Sequence, residues 1–435
     1  MMRRRTALSG LPLALLAACA VKKPPIPGVQ IPVVAQDTGM GVAVDAPAVT
    51  LPPAAALGTW PQSLANAAHA PGNLAAPLDF KPLWSRKIGA PGGYQTLLLA
   101  SPLIADGQVF AMDTDATVRA FALTDGHELW RTTTRPKHAS EPNMGGGIAY
   151  DGGRIYASTG YGEVLALDAG SGTILWRQPL LLGARSAPLV AGGLVAVVAL
   201  GDVLMTFDAA SGTPGWQFAG NAGQPSGAAV GVTGAPAYSD GIIVAGFSTG
   251  TLAGIDANSG TPLWEQSLAA GYGQASQLDL SDIVASPVIT NGVVYAINLG
   301  DTFMAVDLHS GAKVWTHGAY GTQVPAASGG FLFLLDGQQM LYAIHADDGL
   351  VSWSLQLPAY KKPKTKGKPI LWTGPVLVNG QLLLASDHGE MALVDAVAGT
   401  LKQKVKLDAP ADMPPIAAAG MLLQLTRDAK LTAYG

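Results

Sequence analysis

Charge is scarce in this chain: Asp, Glu, Lys and Arg make up 13% of 435 residues, against roughly a quarter in an ordinary globular domain. The net charge is only −4, and nucleic-acid binding domains are normally basic, so a nucleic-acid partner is excluded. There is one cysteine, which rules out an internal disulfide framework and any zinc site built on several thiolates. Mean hydropathy is positive at +0.28, yet no apolar run reaches the roughly 18 residues a membrane-spanning helix requires. What is abundant is glycine and proline, 54 and 31 residues. At that density long helices are broken, and a large, glycine-punctuated β protein remains.

The first residues read as an export signal. Arg3, Arg4 and Arg5 precede a short apolar stretch from Leu11 to Ala18, the n-region and h-region of a leader. Leu16-Ala17-Ala18-Cys19 resembles a bacterial lipobox. That resemblance implies removal of residues 1–18 and lipidation of Cys19, with more than one acyl chain giving stable anchoring. Ala20, rather than aspartate, follows the cysteine, which points to the periplasmic face of the outer membrane. Eleven prolines lie between residues 20 and 82. Composition of this kind favours extended, poorly packed chain, so residues 19–79 are expected to be a Pro/Ala-rich tether and N-terminal segment. Within it, Trp60-Pro61 and His69 are expected to pack on the domain that follows.

Residues 80–435 repeat. Tryptophan recurs at Trp84, Trp130, Trp176, Trp216, Trp264, Trp315 and Trp353, with an eighth equivalent at Gln403. Four residues earlier, from the second unit on, stand Gly126, Gly172, Gly212, Gly260, Gly311, Gly349 and Gly399. Asp168, Asp208, Asp256, Asp307 and Asp395 stand eight residues earlier and read as turn hydrogen bonders. Dipeptides such as Asp106-Gly107, Asp240-Gly241 and Asn291-Gly292 suit tight hairpins, because they accept positive φ at low cost. Each unit reads as four short strands. The first unit lacks three strands and the last lacks one, so the N-terminal strand should complete the final sheet. The fold expected is all-β: an eight-bladed β-propeller of four-stranded antiparallel blades, closed by that clasp, which leaves only short, protected edges. One buried indole contributes about 4–6 kcal/mol as an upper bound. The tryptophans are therefore expected to dock blades together, with Ala120, Ala166, Ala305 and Ala343 leaving room for them.

The Ala-x-Asp-x-x-x-Gly-x-x-x-Trp pattern resembles the tryptophan-docking repeat of quinoprotein (PQQ-type) propellers. Joined to a lipobox, a single eight-bladed domain resembles the BamB family of outer-membrane assembly lipoproteins. The resemblance implies a non-enzymatic scaffold without catalytic residues, cofactor or metal. Such a scaffold binds the periplasmic POTRA region of a BamA-like β-barrel insertase and assists insertion of nascent outer-membrane proteins. It also implies partner contacts at Leu280, Ser281 and Asp282, which match a Leu-Ser-Asp-x-Asp segment except that Val284 replaces the second aspartate. A second segment, Leu-x-Leu-Arg, falls on Ala228-Ala229-Val230-Gly231, and its arginine is absent. Two alternatives are a PQQ-dependent dehydrogenase and another envelope protein-binding propeller. The dehydrogenase resemblance implies an adjacent-cysteine pair and a calcium site, and this chain has no second cysteine.

Two further features stand outside the repeat. The histidines at 69, 127, 138, 309, 317, 345 and 388 show no metal-ligand spacing and read as solvated turn residues. Lys361, Lys362, Lys364, Lys366 and Lys368 form a basic insertion ahead of the seventh blade. It is either a solvated loop or an electrostatic contact with anionic lipid or an acidic partner.

Overall fold

A computed structural model describes residues 40–435 apart from 94–97, 99, 140–142, 144, 185, 221–233 and 270–279. Cys19, the lipobox and Ala228–Gly231 lie outside the described residues. Eight four-stranded antiparallel sheets follow one another along the chain, seven of them built from consecutive strands. The eighth joins Pro82–Lys87 to the last three strands of the chain. The expected propeller and its clasp are both present. Blades 1–7 occupy residues 103–133, 146–179, 189–219, 237–267, 288–317, 326–356 and 372–406; blade 8 combines 416–434 with 82–87.

Within each blade burial follows strand position. The second and third strands are almost wholly buried, as in Leu194–Ala199 and Val203–Asp208. Outermost strands such as Glu128–Thr133 alternate between exposed and half-buried residues. The apolar composition thus goes into packing between neighbouring sheets, with no helix long and apolar enough to cross a membrane among the described residues.

The tryptophans sit where the repeat places them. Each indole from Trp84 to Trp353 donates its Nε1–H to a carbonyl in the next blade, at 2.7–3.2 Å: Leu123, Ala169, Ala209, Ala257, Leu308, Ala346 and Ala396 in turn. Each also lies against the glycine of that blade's last turn, from Gly126 to Gly399. Across the strand pair, Trp84, Trp130, Trp176, Trp264, Trp315 and Trp353 oppose Ala433, Ala120, Ala166, Gly254, Ala305 and Ala343. Gln403 is exposed and opposes Leu393. With glutamine at this position, the joint from blade 7 to blade 8 has no tryptophan dock.

The aspartates act as turn bonders. Asp168 Oδ1 accepts from the Ser171 hydroxyl and N–H, both at 2.8 Å, and Asp208, Asp256 and Asp307 repeat the arrangement. These bonds, the serine hydroxyl first, hold all four carboxyls below the usual carboxylate range.

The expected tether differs from what is found. From Met40 onward the segment packs, and its middle part runs as a strap across the inner ends of the blades. Trp60 exchanges backbone hydrogen bonds with Ile104 of blade 1. The Pro61, Ala67 and Ala68 carbonyls accept from Tyr150, Tyr238 and Ile289 of blades 2, 4 and 5. Gln62 pairs both ends of its amide with the Val190 backbone of blade 3. Leu74 bonds Leu377 and Asn379 of blade 7, and the Leu57 carbonyl accepts from Ala419 of blade 8. In blade 6, a Cβ on Gly329 would lie 2.5 Å from the Thr50 carbonyl. Alanine and proline impose little order by themselves, but inner strands offer unpaired backbone groups, and those must be satisfied when buried. His69 packs on the propeller with Trp60, so it departs from the reading of the histidines as solvated: it is 3% exposed, and Nδ1 lies 2.8 Å from the Pro287 carbonyl.

Candidate partner-binding face

The strap covers the face formed by the first and third turns of the blades. The opposite face carries each blade's middle turn and the connections between blades, and it is there that Leu280, Ser281 and Asp282 lie. Three successive middle turns build its floor. In blade 3, Asp202 is 2% exposed with φ of 62°, and its carboxylate accepts from the Ser248 N–H at 3.0 Å and from the Ser248 hydroxyl in blade 4. Ser281 donates to the Ser248 carbonyl at 3.4 Å, and Ile283 N–H reaches the Phe247 carbonyl at 3.1 Å. Asp202, Ser248 and Ser281 therefore tie the middle turns of blades 3 and 4 to the connection entering blade 5.

The trio divides by burial. Leu280 is 38% exposed, whereas Asp282 is 2% exposed and its carbonyl accepts the Leu299 N–H at 3.0 Å. Asp282 is thus part of the loop's internal support, and Leu280 is the member that meets solvent. The seven tryptophans belong to the blade joints and line no part of this face.

Leu181 and Leu182, absent from the sequence-based set, are more exposed than Leu280, at 63% and 54%. Their loop is clamped on both sides: Leu180 N–H and Ala184 N–H bond the Gly162 and Thr159 carbonyls of blade 2, and the Gly183 carbonyl accepts from Leu200 of blade 3. Gly183 is required by close approach, since a Cβ there would lie 2.4 Å from the Gly160 carbonyl. Leu182 reaches Gly201, next to Asp202. Leu182 and Leu280 therefore stand at either end of one hydrogen-bonded floor, beside anchored residues Gly183 and Ser281. The signal in the sequence is Leu180-Leu181-Leu182-Gly183, three consecutive leucines in a connection between blades.

On the same face, the channel mouth holds a cleft of about 180 Å³ lined by Gln323, Gln339, Trp372, Asp412 and Arg427 among others. Its polar groups are engaged with the wall. Gln339 and Gln323 accept the N–H groups of Trp372 and Gly374 at 2.8 and 3.0 Å, and Arg427 forms a two-point ion pair with Asp412. Among the described residues no three His, Cys, Asp or Glu side chains are grouped to hold a metal ion.

The family model for outer membrane protein assembly factor BamB matches residues 114–355. The chain belongs to the BamB family. BamB of Escherichia coli K12 is 28% identical over 352 residues, covering 79% of this chain and 86% of that protein. Among solved structures, BamB from Moraxella catarrhalis superposes with a TM-score of 0.64 at 18% identity, over 80% of this chain and 99% of its own. A europium-containing methanol dehydrogenase superposes equally well, TM-score 0.66 at 15% identity, over 86% and 89%. Backbone likeness therefore establishes the propeller alone; BamB membership rests on the repeat sequence.

Proposed function

We propose that this chain is a non-enzymatic scaffold of outer-membrane protein assembly. It is anchored through Cys19 at the periplasmic face of the outer membrane after removal of residues 1–18. It binds the periplasmic POTRA region of a BamA-like insertase, assisting insertion of nascent β-barrel proteins. The observation that carries the reading is family membership, because the curated relatives are assembly factors by name. The face displaying Leu182 and Leu280 supports it: two exposed apolar side chains stand on one hydrogen-bonded floor and offer apolar area to bury on docking. Residues 80–435 form the propeller body in this reading and residues 40–79 its strap.

A PQQ-dependent dehydrogenase shares the fold, but the adjacent-cysteine pair of that resemblance cannot be made with one cysteine. The test is co-purification of the tagged native protein from its own envelope. A BamA-like barrel protein should accompany it, and Leu182→Asp with Leu280→Asp should deplete that partner several-fold while leaving the melting temperature unchanged. A preparation free of any barrel protein overturns the proposal.

A further inference from the structure

The basic insertion between blades 6 and 7 is an ordered hairpin. Tyr360–Lys362 pairs with Gly367–Pro369 across a single 3-10 turn, Pro363–Thr365. Its root is fixed: Leu357 and Ile370 are buried, Ile370 N–H bonds the Ala359 carbonyl at 2.9 Å, and the buried Trp372 indole donates to the Pro358 carbonyl at 3.0 Å. All five lysines are exposed.

Four lysines elsewhere pair with acids: Lys87 with Asp428, Lys402 with Asp395, Lys404 with Glu390 and Lys430 with Asp408. Among the described residues no carboxylate pairs with a hairpin lysine. The strand register sets Lys361 opposite Lys368, and like charges facing each other across a ladder are destabilising. Lys366 and Lys368 also occupy the left-handed region, with φ of 48° and 57°, where side chains other than glycine and asparagine are disfavoured. The hairpin thus concentrates five like charges and two left-handed lysines within one short turn.

We propose that residues 359–370 are a docking element for a bilayer bearing anionic phospholipid headgroups. The composition favours a membrane over an acidic protein. The charged set is entirely lysine, a strongly hydrated point charge, with none of the arginine forks that recognise carboxylates directionally. Lysines project on both sides of the hairpin, which suits a laterally averaged field of phosphates rather than one fixed pattern. Leu371, 56% exposed, adds apolar surface beside the root. The proposal takes from the previous section only that a bilayer lies within reach, and its vesicle assay contains no insertase, so the two can fail separately.

Purified full-length protein is partitioned onto vesicles of phosphatidylcholine, with and without phosphatidylglycerol. Any acyl anchor contributes equally to both, so the ratio isolates the hairpin. Each lysine near an anionic surface contributes roughly fivefold, and a preference of at least about 25-fold, two lysines' worth, is expected. It should vanish when all five lysines become Gln, persist when all five become Arg, and collapse at about 1 M salt, where the Debye length falls to about 3 Å. Equal partitioning of the wild type, or a preference surviving the Gln substitutions, overturns it. Stronger retention on polyglutamate than on anionic vesicles also overturns it, in favour of an acidic protein. Unchanged melting temperatures of the variants exclude misfolding, and retained BamA-like partner in the Gln variant separates this element from the insertase contact.

Discussion

His69 shows how a single side chain couples the strap to pH. Burial lowers its pKa from 6.5 to about 4, partly offset by the contact with the Pro287 carbonyl. The ring is therefore held neutral in the folded protein, while the unfolded chain protonates near its ordinary value. Stability supplied by the neutral ring is fully present above pH 6.5 and is lost as pH falls from there towards 4. The full difference corresponds to about 3 kcal/mol, an upper bound. His69→Asn keeps a residue tolerant of the left-handed backbone, φ 60°, and removes the titration. Melting temperature measured against pH should fall more steeply for the wild type than for the variant between pH 6.5 and 4. Parallel curves would mean that folding does not shift the pKa of His69.

At the scale of the element, the repeating joint is an indole seated on a glycine turn. Gly172 has φ of 72°, and a Cβ there would lie 2.4 Å from Cε3 of Trp130, so both backbone and space demand glycine. Trp130→Ala should cost about 3–5 kcal/mol by denaturant titration. Gly172→Ala should also destabilise, and the double substitution should cost less than the two together, because removing the indole makes room for the methyl. Strict additivity would show that the indole and the glycine are not in direct competition. The joint at Gln403 lacks this device; near it, Arg427 with Asp412 and Lys430 with Asp408 tie the following connection to blade 8. These pairs lie near the surface, where such bridges contribute at most about 1 kcal/mol.

For the whole molecule, two closures act on the same ring. The clasp completes blade 8, and the strap bridges the inner strands, with buried Trp60 and Leu74 as its apolar pins. If the strap is one cooperative unit, Trp60→Ala should accelerate amide hydrogen exchange not only at Ile104 but also at Tyr150, Tyr238 and Ile289, which donate to strap carbonyls. Loosening confined to Ile104 would show that the strap binds each blade independently. With one face so covered, the exposed leucines and the lysine hairpin share the opposite face, the leucines on the connections into blades 3 and 5 and the hairpin between blades 6 and 7.

Periodicity alone determined the eight blades, the clasp and the tryptophan–glycine joints, because each repeat states its own turn chemistry and packing locally, eight times over. Gln403 is the eighth equivalent by spacing but carries no indole, and the strand register places Leu393 across from it where six other joints have alanine or glycine. The candidate face was half legible: Leu280 through Asp282 were named from a segment match, but their division into exposed leucine and buried aspartate depends on turns of three blades meeting. The strap was legible only at Trp60 and His69. Its remaining residues are alanine, proline and small polar groups that read as linker, since the hydrogen bonds that order them belong to distant inner strands, as Leu57 with Ala419 shows. Local chemistry wrote the blades, and tertiary closure decided which face of the ring is covered and which is left to bind.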